Sequence, residues 1–418
     1  MKLSLKNIGK IGSASVEING ITTIAGENNT GKSTVGRALF AVFNSFYNIE
    51  DQIKRERIQS VENNIDVLYR NMHYMRKIGV DSDEIAKNIV SNTEVYRDDV
   101  SAIEEELKSA MQQSINDMEE DVDEALIGEI SARIKETLNV SDMELLKLVA
   151  TKKLSAEFNA QVSNIFSEDT SEIELQIKKE PLVISLKDDM VTDIQRNGVS
   201  LHTEAIYVDD PFVLDEPRYG GFRFTSEYLD HRNHLKTKIH LTKDVNLVDE
   251  IVTGNKLQNI YEKISSVCSG EVVKKQWRLG YKRKDTDKVL DAKNLSTGFK
   301  TFAILKMLLL NGVIEYNGTI ILDEPEIHLH PEWQLLFAEL IVLIQKEFNM
   351  HILLNTHSPY FLRAIQVYSA KYKIADKCRY YLSEVSNDRA EIIDVTDNIE
   401  EVYAKLSRPL QQLEEETW

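Results

Sequence analysis

The octapeptide Gly26-Glu27-Asn28-Asn29-Thr30-Gly31-Lys32-Ser33 constrains this chain more than any other feature in it. It fits G-x-x-x-x-G-K-[ST], follows the apolar run Ile21–Ala25 and opens a stretch with helical spacing of Val35, Leu39, Val42 and Phe43. A strand feeding a glycine loop that feeds a helix offers consecutive backbone amides and a helix N-terminus, a cradle for phosphates. Lys32 is then placed to neutralise charge on the β- and γ-phosphates. Ser33 is placed to ligate Mg²⁺, with Thr34 beside it in the first helical turn.

Three later segments complete a pattern. Thr319–Leu322 is an apolar strand that delivers Asp323 and Glu324 to its C-terminal edge, where open α/β sheets bind ligands. Asp323 suits a metal ion, and Glu324 suits the orientation and deprotonation of an attacking water. Asn294-Leu295-Ser296-Thr297-Gly298 precedes a helix and by itself reads as an ordinary N-capped start. Leu353-Leu354-Asn355-Thr356-His357-Ser358-Pro359 closes another strand and presents His357, which could sense a γ-phosphate.

The order from Asn294 onward, loop, helix, strand, loop, helix, strand, helix, is the signature of a parallel sheet with crossover helices. Residues 49–164 differ in character, with no proline, sparse glycine and apolar residues at helical intervals, as in Asp83–Val90, Val100–Met118 and Asp123–Leu138. The expected organisation is a discontinuous head, residues 1–48 and 165–418, with a helical insertion over 49–164. Further strands are expected at Lys2–Ile8, Ser15–Ile18, Glu172–Ile177, Leu182–Leu186 and Ala205–Val208. Helices are expected near Glu227–Lys236 and Val248–Val267, and a hairpin over Glu271–Arg283 turning near Gly280.

The net charge of −18 opposes wrapping nucleic acid over the whole surface. Half of it sits in residues 101–150, which carry 13 acidic and 4 basic side chains. No run of 18 apolar residues and no apolar leader occurs, so no membrane partner and a cytoplasmic location are expected. Cys268 and Cys378 stand far apart and read as small buried residues rather than a disulfide or a zinc site.

In their wording and order, GENNTGKST, LSTGFKT, LDEPEIHLHP and LNTHSPYFL resemble the SMC/RecF/OLD-like branch of ABC ATPases. The resemblance covers residues 1–47 and 170–418 and leaves the insertion undescribed. It implies an α/β P-loop head of ABC type, with a mixed sheet and flanking helices, that binds ATP and Mg²⁺ and hydrolyses ATP. It also implies a head-to-head homodimer, or a larger homo-oligomer, in which Ser296 and Gly298 of one subunit reach the ATP held on the other. Two roles follow from it. One is a sensor or scaffold of a prokaryotic anti-phage defence system, with a separate effector chain, a nuclease or toxin. The other is a RecF-like repair factor that binds DNA.

Departures from that pattern matter. Thr297 stands where transporters have glycine, and no glutamine can be assigned to the Q-loop, although Asp209 and Asp210 lie near a plausible lid. The roughly 50 residues beyond the last ATPase helix are few for the Toprim nuclease domain of OLD proteins. Glu326, His328 and His330 read as an interface loop in preference to a metal site. Lys274-Lys275-Gln276-Trp277-Arg278 with Tyr281-Lys282-Arg283-Lys284 suits either a nucleic-acid contact or a solvated hairpin.

Overall fold

The computed structural model describes residues 1–71, 81–114, 123–216, 230–241, 247–275 and 278–416. The chain divides into two compact units, Met1–Tyr47 with Ala150–Trp418, and Asn48–Val149.

In chain order, β1 (Lys2–Ile8), β2 (Ile11–Glu17) and β3 (Ile21–Gly26) lead through the glycine loop to α1 (Lys32–Phe46). Next come α2 (Ile49–Asn71), α3 (Ser82–Ser91), α4 (Thr93–Tyr96), α5 (Val100–Ser114), α6 (Glu124–Asn139) and α7 (Asp142–Phe158). Strands β4 (Ser171–Ile177), β5 (Glu180–Lys187), β6 (Met190–Arg196) and β7 (Ala205–Val208) follow, then α8 (His231–Ile239) and α9 (Leu247–Val267). A small sheet is made by β8 (Glu271–Lys275), β9 (Arg278–Lys282) and β10 (Val289–Asp291). The last part holds α10 (Thr297–Leu310), β11 (Thr319–Asp323), α11 (Pro331–Phe348), β12 (His351–Thr356), α12 (Pro359–Lys371), β13 (Cys378–Ser386), β14 (Arg389–Asp394) and α13 (Glu400–Glu415).

Among the described residues, one 11-stranded sheet runs β6-β5-β4-β1-β2-β14-β13-β3-β12-β11-β7. Its half from β13 to β7 is parallel, and β6, β5, β4, β1 and β2 pair antiparallel. This is the mixed sheet with flanking helices expected of the head. Alternation along the strands sorts the two faces. Ile320, Leu322, Ile352 and Leu354 join the core that holds α10, α11 and α12. Ile321 and Tyr207 point the other way, toward Gly36 of α1. Cys268 and Cys378 are buried free thiols.

In the second unit the apolar residues of α2, α3, α5 and α6 close on one another, Ile65, Leu68, Ile89, Leu107, Ile130 and Ile134 among them. Asp81 and Asp123 start α3 and α6 by accepting backbone amides, the usual work of an N-cap aspartate. No helix among the described residues is long and apolar enough to cross a membrane.

Several expectations are corrected. Gly280 is no turn: it lies inside β9 opposite Val273, and β8 ends at Lys275 before β9 begins at Arg278. A Cβ at Gly280 would meet Val289 Cγ1 at 2.5 Å, so its glycine serves the close approach of β10. Residues 150–164 group with the sheet body; Gly9 and Asn164 exchange backbone hydrogen bonds with Val162 and Asn7 there. The strand β6 had no counterpart in the sequence reading. The end of the helix expected to reach Met118, the start of the one expected from Glu227, and Gln276 and Trp277 lie outside the described residues.

Candidate nucleotide site

Three parallel strands, β3, β12 and β11, end side by side, and their C-terminal ends carry three of the four motifs. After β3 the loop leaves the regular backbone: Gly26, Asn29 and Gly31 have φ of 156°, 62° and 87°. Gly26 is obligatory for a second reason, since a Cβ there would lie 2.4 Å from the Ser383 carbonyl of β13. The Ser383 hydroxyl donates to the Thr30 carbonyl at 2.5 Å, and the Thr30 hydroxyl to the Glu27 carbonyl at 2.8 Å. Glu27, Asn28 and Asn29 remain exposed at the loop crest.

Lys32 folds back under this loop. Its ammonium donates to the carbonyls of Gly26 at 3.1 Å and Glu27 at 2.6 Å. Burial pulls its pKa down, against the opposing charges of Glu324, Asp323, Glu326 and Glu27. Ser33 and Thr34 follow in the first turn of α1, whose N-cap, Gly31, makes no side-chain cap. The Thr34 side chain packs at Gly9.

At the acidic strand end, Asp323 is buried and Glu324 half-buried. The chain turns sharply there: Glu324 has φ of 51° and its amide donates to the Asn355 carbonyl at 3.0 Å. A non-glycine residue held left-handed costs about 1–2 kcal/mol, and here it aims the carboxylate at β12. Glu324 Oε1 meets His357 Nε2, and His357 Nδ1 lies 2.7 Å from the Gly26 carbonyl. Lys32 Nζ stands 3.5 Å from that same Nδ1. The hydrogen bond with His357 holds Glu324 below its ordinary pKa. The structure thus gathers Glu324 and His357 with Lys32, which lies far from both in the chain, around one loop.

Ser296 and Gly298 lie apart from this group. Ser296 is the N-cap of α10, but its hydroxyl makes no capping bond and is exposed. Gly298 packs against the loop after β11: a Cβ would come 2.7 Å from the His328 carbonyl. Among the described residues no hydrogen bond joins either residue to the glycine loop.

Four residues support the site in ways the sequence did not indicate. Glu326, grouped there with an interface loop, is buried and accepts from the Thr356 hydroxyl and, at 3.0 Å, from the His357 amide. It ties the two strand ends together from inside, and burial pushes its pKa up. Tyr207 and Asn355 both bond Asp323, and Ser383 braces the glycine loop. No group of three or more His, Cys, Asp or Glu among the described residues could hold a metal by itself. His328 instead meets Phe212 edge-on at 5.9 Å.

Three of the hairpin cations have local acidic partners. Lys282 pairs with Asp287 at 2.7 Å, Arg283 with Asp285 at 2.6 Å and Arg278 with Asp291 at 3.7 Å. That suits the solvated-hairpin reading better than a nucleic-acid contact. Asp209, near the expected lid, is bonded to His231 at 2.9 Å.

Among solved structures, the chain is similar to the SMC head domain from Thermotoga maritima, at 11% identity and a TM-score of 0.38, covering 94% of this chain and 98% of that one. It is also similar to an Smc head with an extended coiled coil, bound to the C-terminal domain of ScpA, derived from Pyrococcus furiosus. There the identity is 11% and the TM-score 0.40, covering 100% of this chain and 99% of that one. Both likenesses are low in score and identity. The AAA ATPase domain family, by contrast, matches residues 1–362, a span that contains the C-terminal ends of β3, β11 and β12. The chain therefore belongs to the AAA ATPase domain family and is an ATPase.

Proposed function

We propose that ATP binds with its phosphates against the loop Gly26–Ser33 and is hydrolysed there to ADP and phosphate. The observation that carries this reading is the contact set of His357, which meets Gly26 on one side and Glu324 on the other beside Lys32. Lys32 exchanges its loop carbonyls for phosphate oxygens. Glu324 takes a proton from the water that attacks the γ-phosphorus as the bond to ADP breaks. His357 passes from holding Glu324 to contacting the γ-phosphate.

Ser33 and Asp323 are hard oxygen donors, the set that suits Mg²⁺. Each Asp323 oxygen accepts one hydrogen bond and keeps further lone-pair capacity, so the residues fit the ion. When bound, Mg²⁺ neutralises phosphate charge.

Ser296 and the amides that open α10, Gly298 included, act on the nucleotide of a second copy, in a head-to-head dimer. The uncommitted Ser296 hydroxyl at an exposed helix N-terminus supports this, because it has no partner within its own helix. ATP then fastens two copies and hydrolysis frees them. The biological reading is a sensor or scaffold for a separate effector in anti-phage defence, supported by the motif resemblance. The DNA-repair reading is weakened by the paired cations of the hairpin.

Phosphate release tests the site. Glu324→Gln is expected to lower turnover by about 10²-fold or more while ATP still binds, and Lys32→Ala to lose binding itself. Undiminished turnover in Glu324→Gln would remove Glu324 from the chemistry.

A further inference from the structure

The face of the sheet that carries Asp323 also carries two neutral donors, Tyr207, which belongs to no motif, and Asn355, which has no role of its own in the motif that ends in His357. Strand register puts them there. Tyr207 of β7 pairs with Ile321 of β11, and Asn355 of β12 pairs with Asp323 itself. Side chains two apart share a face, so Tyr207, Ile321, Asp323 and Asn355 all lie toward α1. From there the Tyr207 hydroxyl donates to Asp323 Oδ2 at 2.7 Å, and the Asn355 amide donates to Oδ1 at 2.8 Å. Each carboxylate oxygen is therefore held from a different neighbouring strand.

Tyr207 is itself fixed. It is 1% exposed, its ring stacks on His231 at 4.4 Å and 27°, and it meets Phe40 edge-on at 6.2 Å. His231 is anchored at both nitrogens, by Glu157 at 2.7 Å and Asp209 at 2.9 Å. Space for the hydroxyl comes from Gly36 of α1. A Cβ at that position would lie 3.2 Å from Tyr207 Oη and 3.0 Å from Ile321 Cγ2. A buried carboxylate needs donors of some kind, but a single flexible one would satisfy that need. Two donors from opposite sides, one braced by a stacked ring, fix the carboxylate plane as well.

We propose that Tyr207 and Asn355 are positioning residues that hold the Asp323 carboxylate in the orientation in which it takes a divalent cation, with Gly36 supplying the space and His231 the brace. The proposal rests on the reading of Asp323 as the metal-holding carboxylate. Groups that orient a metal ligand typically change metal affinity by about 10–100-fold when removed, whereas groups that only satisfy a buried acid change stability.

The test is a Mg²⁺ titration of fluorescent ATP-analogue binding, which needs no turnover, with thermal melting to confirm folding. Tyr207→Phe is expected to raise the half-saturating Mg²⁺ by about 10-fold or more while leaving metal-free nucleotide affinity unchanged. Gly36→Ala, which keeps the hydroxyl but crowds it, is expected to move the titration the same way by a smaller factor. 4-Aminophenylalanine at position 207, which restores a donor, is expected to bring it back toward wild type. A folded Tyr207→Phe protein with the wild-type half-saturation overturns the proposal. Should that variant not fold, an unshifted Gly36→Ala titration does the same. Asp323→Asn separates the two layers. If it too leaves the Mg²⁺ dependence at the wild-type value, the reading of Asp323 fails. If it abolishes the dependence while the Tyr207 and Gly36 variants do not shift it, only the positioning claim fails.

Discussion

At His231 both ring nitrogens face carboxylates, Glu157 on one side and Asp209 on the other, with the Arg37 guanidinium 3.9 Å from Glu157. Burial alone would lower the imidazole's pKa, but the hydrogen bonds to Asp209 and Glu157 prevail and raise it to about 9. A folded-state pKa above the unfolded value of 6.5 stabilises the protein fully below about pH 6.5, and that contribution is lost as pH climbs through about 9. The shift corresponds to roughly 3 kcal/mol at most. Denaturant unfolding across this window is expected to show wild type more stable than His231→Phe by an amount that narrows steadily from pH 6.5 to 9. A gap that stays constant with pH would mean that the imidazole is not charged in the folded protein.

Among the elements, α10 would join the two halves of the proposed mechanism. Its N-terminus carries Ser296, and its first turn presses on the loop that begins at Glu324. The contact is through Gly298, whose missing side chain admits the His328 carbonyl and the edge of Trp333. The nearest of these atoms is backbone and has little room to yield. Gly298→Ala is expected to cost about 1–3 kcal/mol, read as a lower urea midpoint, with nucleotide binding on the glycine loop retained. Unaltered stability would show that the α10 contact is looser than drawn here. This packing was invisible in the sequence, where Gly298 stood only as part of a signature tetrapeptide. What could be read were features carried by contiguous residues: the glycine loop, the apolar runs that end in Asp323 and His357, and the alternation of strands and helices. What could not be read depends on register between distant strands. Nothing local says that Tyr207 stands diagonally from Asp323, or that Glu326 turns inward to the His357 amide. Gly280 shows the same limit, because a glycine between Leu279 and Tyr281 signals a hairpin turn and a close strand approach equally well.

For the whole molecule, the exposed residues beside the site carry the next level of organisation. Ile327, three residues beyond Glu324, is 58% exposed, and Tyr360, three beyond His357, is 75% exposed. Large apolar side chains at the rim of a charged site suit burial against a second copy, the arrangement proposed above for Ser296. The proposed cross-subunit hydrolysis depends on that assembly. The most direct measurement is the solution mass of Glu324→Gln protein with and without ATP and Mg²⁺, with Lys32→Ala as control. The prediction is a doubling of mass in Glu324→Gln that requires ATP and Mg²⁺ and is lost in Lys32→Ala. Bound ATP with an unchanged mass would contradict it, and the signature loop would then have no nucleotide to act on from across a dimer.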